Sequence, residues 1–138
     1  TDTDADTDTS ELNGSYSGPF TIDVAAISDS SVADTCSGVA TVTYDSAMAN
    51  NEISGSVQCT WGGLMVESIN GEGTLYGRSN SDGSLAGSLM LGTNFPATWT
   101  GSWSENAAIL ATASGTFSAA TNRGSLQMNY TISFTLAR

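Results

Sequence analysis

The residues whose spacing could do chemistry lie at the start of the sequence. Asp2, Asp4, Asp6 and Asp8 alternate with Thr1, Thr3, Ala5, Thr7 and Thr9, and Glu11 follows. Asp at positions 1, 3 and 5 is the spacing with which calcium loops such as the EF-hand present oxygens, because Ca2+ accepts several carboxylate and carbonyl ligands in flexible geometry. Both Asp2/Asp4/Asp6 and Asp4/Asp6/Asp8 supply it. A full EF-hand starting at Asp4 would need Gly and Glu where the chain has Thr9 and Ser15, so no cage closes within the stretch. The expectation is Ca2+ held by Asp2, Asp4, Asp6, Asp8 and Glu11, completed by loops of the same or another molecule. The plainer alternative is a solvated acidic linker. Fixing such a stretch costs about 1–2 kcal/mol per residue. Repulsion adds about 0.6 kcal/mol for each neighbouring Asp pair in water. A bound cation or a neighbouring subunit would have to offset both.

Other chemistries are poorly supplied. The chain has no His and no Lys, only Arg78, Arg123 and Arg138 against 14 acids, for a net charge of −11. Without His, nucleophilic triads of the usual kind lack their base, and ordinary zinc sites lack their ligands. No phosphate-cradling loop with its Lys occurs. Asp29, Asp34, Asp45, Asp82 and Glu105 fall in or beside predicted turns, so a carboxylate pair for glycoside hydrolysis finds little support. The reading is non-enzymatic. Such an excess of negative charge also argues against nucleic acid or an anionic membrane surface as partner. Divalent cations and further copies of the chain itself are the partners it suits. Trp61, Trp99 and Trp103 could line a pocket for a sugar or an apolar ligand, but all three fall in the inward register, where core is the simpler role.

The elements that must position these residues read as strands. From Leu126 to Leu136 apolar side chains occupy every second position, with Gln127, Asn129, Thr131, Ser133 and Thr135 between them. That period of two is a half-buried strand, and the 3.6-residue spacing of a helix is absent. Similar alternation runs through residues 15–24, 36–44, 53–61, 75–77, 85–91, 99–103 and 109–117. Turn signals separate them at 28–34, 46–49 and 81–83, while 64–72 is ambiguous. The segments YSGPF, CSGVA, ISGSV, LAGSL, WTGSW and ASGTF each put a Gly in the inward row, the mark of a bend or a close backbone approach. The expected fold is all-β, with about eight antiparallel strands, mostly up-and-down, as a β-sandwich or small closed barrel. Residues 1–13 form an acidic tail, and 14–138 a single domain.

With residues 46–49 as the hairpin loop, Val42 would oppose Ile53, and Cys36 would oppose Cys59. Opposed Cα atoms lie within disulfide range. A Cys36–Cys59 bond is expected, and with it an oxidising, extracellular or cell-surface location. No apolar run long enough for a membrane-spanning helix and no signal peptide occurs, and the first residue is Thr rather than Met, which reads as a processed form. The TDTDADTDTSE stretch resembles the linkers that follow the lipid-anchoring cysteine in bacterial surface lipoproteins. It equally resembles linkers that trail secreted domains, so the resemblance implies a bacterial surface or secreted protein and leaves open a lipid anchor upstream. The strands' outward rows are Ser and Thr with hardly any charge, and monomeric β proteins usually guard their edges with charge. The expected role is therefore a structural protein that self-assembles into a filament, tube or lattice. The alternative is a monomeric ligand- or carbohydrate-binding module on a lipoprotein stalk.

Overall fold

The structure is a computed structural model and describes residues 10–64, 71–92 and 95–138. Eight strands follow one another in a single antiparallel meander: β1 Gly14–Ala26, β2 Ala33–Tyr44, β3 Ile53–Trp61, β4 Glu72–Ser79, β5 Ser84–Leu91, β6 Phe95–Trp103, β7 Ile109–Thr121 and β8 Gly124–Leu136. β8 pairs back onto β1, from Phe20 opposite Phe134 to Ala26 opposite Met128, and closes the barrel. The period-two rows explain the closure. One row of each strand is buried and the other faces water, so a single sheet can bury all its apolar side chains only by curling on itself.

The interior is full. Phe20, Ile22, Ile53, Leu75, Leu91, Trp99, Met128 and Ile132 are among its fully buried side chains. Inward glycines bring the strands close: a Cβ at Gly38 would lie 1.9 Å from the Gln58 carbonyl oxygen, and one at Gly55 2.0 Å from that of Thr41. Gly77 and Gly87 together clear a bay for the Trp99 ring, which would lie 2.5 and 2.6 Å from a Cβ at either position.

Both mouths are covered. At the near end, where β1 begins, Leu12 from the short 3-10 turn Ser10–Leu12 packs on the core. There Tyr16 donates its hydroxyl hydrogen to the Leu12 carbonyl. Arg138 lies 5.4 Å above the Tyr16 ring and donates to the Glu11 and Asn13 carbonyls. Burial raises the Tyr16 pKa, helped by Tyr44 and opposed by Arg138. At the far end the Asp34 carboxylate accepts backbone N–H groups from Thr35, Gly62, Gly63 and Leu64 at 2.8–3.2 Å. Leu64 then accepts the Asn122 N–H at 3.0 Å, linking the end of β3 to the β7–β8 turn on the opposite wall.

The disulfide is present, Cys36 to Cys59 with Cα atoms 5.3 Å apart. The register expected for it is not. Tyr44 opposes Ile53, Gly38 opposes Cys59, and Cys36 opposes Trp61, two positions away from the expected pairing. The β2–β3 loop is longer than the turn read at 46–49, since the Asp45 N–H bonds to the Glu52 carbonyl. A slip of two keeps every apolar side chain inward, whereas a slip of one would reverse the faces. The bond is therefore diagonal, across strands that Gly38 allows to approach.

Candidate functional site: the open seam between β6 and β7

Closure of the barrel is uneven. β6 pairs with β5 along almost its whole length, from Ser84 opposite Ser102 to Leu91 opposite Phe95. β7 pairs with β8 throughout. Between β6 and β7, however, the ladder holds only four pairs, from Thr100 opposite Thr112 to Trp103 opposite Ile109. Beyond it, residues 95–99 and 113–121 have no strand partner across the seam among the described residues.

The cause lies on β8. Tyr130 directly opposes Gly115, and its ring lies over the glycine. A Cβ at 115 would sit 2.8–3.0 Å from the ring and its hydroxyl. The ring reaches on toward β6, where it meets Phe95 edge-on at a centroid distance of 5.0 Å. Phe117 stacks on Phe95 at 4.9 Å and meets Tyr130 at 5.9 Å. Three rings thus occupy the space behind the slot and replace a backbone ladder with aromatic contact. Pro96 suits the arrangement, because without an N–H it belongs at a strand's unpaired side.

Two grooves flank the seam on the outer wall. One, of about 440 Å³, runs along its mouth between the hydroxyls of Thr98, Thr100, Thr112, Ser114 and Thr131. The other, of about 550 Å³, is lined by Tyr76, Met90, Pro96 and Tyr130, with Thr74, Ser88 and Thr98 among its polar groups. Tyr76 is 45% exposed and Met90 38%. Neither unpaired stretch, FPATW or ASGTFSAAT, carries a charge. The cation nearest in sequence is the exposed Arg123 in the β7–β8 turn. Asp29 lies within its influence, and the Asp29 pKa is lowered first by hydrogen bonds from Ser31 and to a smaller degree by Arg123.

Asp2, Asp4, Asp6 and Asp8 lie outside the described residues. Glu11 is exposed in the near-end turn, where its carbonyl accepts from Arg138. Among the described residues no three metal-ligating side chains come together. The three tryptophans are separated. Trp99, 1% exposed, donates its indole N–H to the Tyr76 and Ser88 carbonyls at 3.2 and 3.3 Å, which ties β6 to its neighbours. Trp103, at the near end, packs edge-on against Tyr16 and Tyr44. Trp61, at the far end, opposes Cys36. None of them lines either groove beside the seam. The seam escaped the sequence reading, although Pro96 among strand residues, with Tyr76 and Met90 interrupting a Ser/Thr row, was a signal for it.

No protein-family model, no curated protein and no solved structure matches the chain.

Proposed function

We propose that this domain is a non-enzymatic structural protein of the cell surface or extracellular space, which assembles with copies of itself by strand addition at the β6–β7 seam. The observation that carries this is the edge of β7 at residues 113–121, nine residues without Pro or charge and without a strand partner across the seam among the described residues. Unpaired N–H and C=O groups in such a row are a template for another strand. The disulfide supports an oxidising location. The outer wall, mostly Ser and Thr, is the reverse of the apolar band a lipid-facing barrel presents. In this reading Ca2+ binds the Asp2/Asp4/Asp6/Asp8 row, with Glu11 nearby, and screens its self-repulsion.

Sedimentation and electron microscopy over a concentration series, with Ca2+ and with excess EDTA, test it. Polymers or discrete oligomers are expected. A solitary protomer at every concentration would overturn the assembly reading, and assembly indifferent to EDTA would remove calcium from it.

The groove at Tyr76, Met90, Pro96 and Tyr130 favours a second reading, a module that docks a sugar or apolar ligand on its outer wall. A monomer whose tyrosine fluorescence responds to such a ligand, and loses the response in Tyr76→Ala, would favour it.

A further inference from the structure

We infer that the occupant of the β7 edge is residues 1–9 of a second copy of this chain, added as a ninth strand. This rests on the assembly reading above and names its contact.

Four observations converge on that segment. The first is hydrogen bonding: along the unpaired edge of a strand every second residue directs both its N–H and its C=O outward, and among the described residues nothing pairs with β7 across the seam over 113–121. The second is pattern. Thr1, Thr3, Ala5, Thr7 and Thr9 form one row of an extended chain and the four aspartates the other. Laid on β7, the Thr/Ala row faces the Phe117 and Tyr130 rings, and the carboxylates stay in water. Thr suits a strand, and Asp is tolerated there only on a solvated face. The third is length: nine extended residues span about 30 Å, as does a nine-residue edge. The fourth is charge. Neither side of the seam carries an acid to repel the tail, and Arg123 stands just beyond the edge.

Reach decides for a second copy over the same chain. Ser10 leaves the barrel at the near end, beside Gly14 and Arg138. The free edge begins four residues above that end, roughly 13 Å along the strand and about 10 Å around the wall. A chain's own tail would use about half of its length in getting there and cover only the lower half of the edge. A neighbour's tail can cover the whole edge, and leaves its own barrel's edge open for the next copy. The contact is head-to-tail, so it propagates into a filament or closes into a ring.

Disulfide trapping between full-chain variants that each carry one added cysteine, with the Cys36–Cys59 bond intact, tests this. Asp4→Cys or Asp6→Cys is mixed with Thr116→Cys, whose side chain faces outward midway along the free edge; Thr41→Cys, on β2, serves as the control acceptor. Docking raises the effective thiol concentration, so covalent dimer is expected at least about tenfold above the control. Yields equal to those with Thr41→Cys would overturn the proposal. If particles still form in that case, the assembly reading stands and only its contact is wrong; if none form, both fall. A chain carrying both Asp6→Cys and Thr116→Cys that cross-links only within itself would assign the edge to its own tail, and would equally overturn the second-copy inference.

Discussion

Reducing the Cys36–Cys59 bond should lower the melting temperature by about 12 °C. The bond joins residues 23 apart in sequence, on strands joined by a single loop. Closing a loop of that size in the unfolded chain removes about 3.4 kcal/mol of conformational entropy at 25 °C. Unfolding entropy near the transition is roughly 2.1 cal/mol/K per residue, or about 0.29 kcal/mol/K for 138 residues, and the quotient gives the shift. Circular dichroism melts of oxidised protein, dithiothreitol-reduced protein and Cys36→Ala/Cys59→Ala compare the three states. The reduced wild type is the cleaner comparison, since Cys36 is wholly buried and truncation adds a small void. A shift under about 4 °C would refute the loop-closure reasoning, and would mean that the β2–β3 hairpin persists in the unfolded state and already confines the loop.

Other substitutions test the packing. Gly77→Ala sets a Cβ 2.5 Å from Trp99 Cζ2, and should cost about 3 kcal/mol in urea unfolding. Adding Trp99→Phe should recover at least about 1 kcal/mol relative to additivity, and strict additivity would mean the two do not share the bay. Tyr44→Phe should raise stability by about 1 kcal/mol, because the Tyr44 hydroxyl is buried with no hydrogen-bond partner among the described residues; a lower melting temperature would mean that the hydroxyl is used. Hydrogen bonds from Ser31 and Ser84 lower the pKa values of Asp29 and Asp82 below their unfolded values. Their contribution is thus fully present above the ordinary aspartate range and lost as pH falls through it and below. Ser31→Ala/Ser84→Ala should flatten the acid limb of a melting-temperature profile, and an unchanged limb would place acid sensitivity elsewhere.

Strand identity was legible because the chain alternates so regularly. Residues 126–136 announce β8, and the same rule places the inward row of β2 and β3. Alternation cannot, however, distinguish a register from one slipped by two, since both bury the same side chains. That distinction lies in the β2–β3 loop, where Asn50 adopts a φ of 71° and Asp45 meets Glu52 rather than Asn50. The disulfide survived the slip because Gly38 draws the strands near enough for a diagonal bond. The seam was less legible still. It arises where a β8 side chain lies over a β7 glycine and reaches β6, a three-strand relation that no single stretch of sequence records. Gly115 was visible as an inward glycine, but Tyr130 as the ring resting on it was not.

The filled interior determines where recognition can happen. Barrels that carry ligands inside keep space between their walls, and here that space is gone. Inward glycines let backbones press together, and Trp99 takes the bay left by Gly77 and Gly87. Admitting a ligand would require moving that ring, at a cost comparable to truncating a buried Trp, about 3–5 kcal/mol, and opening a mouth held by Asp34 or by Arg138. Recognition is therefore left to the outer wall. Most of that wall is a Ser/Thr surface over a satisfied ladder, which offers a partner hydroxyls but no unmet backbone groups. Among the described residues only the wall beside Tyr130 brings together exposed apolar side chains and peptide groups without a strand partner, and a strand is the one partner that satisfies both at once.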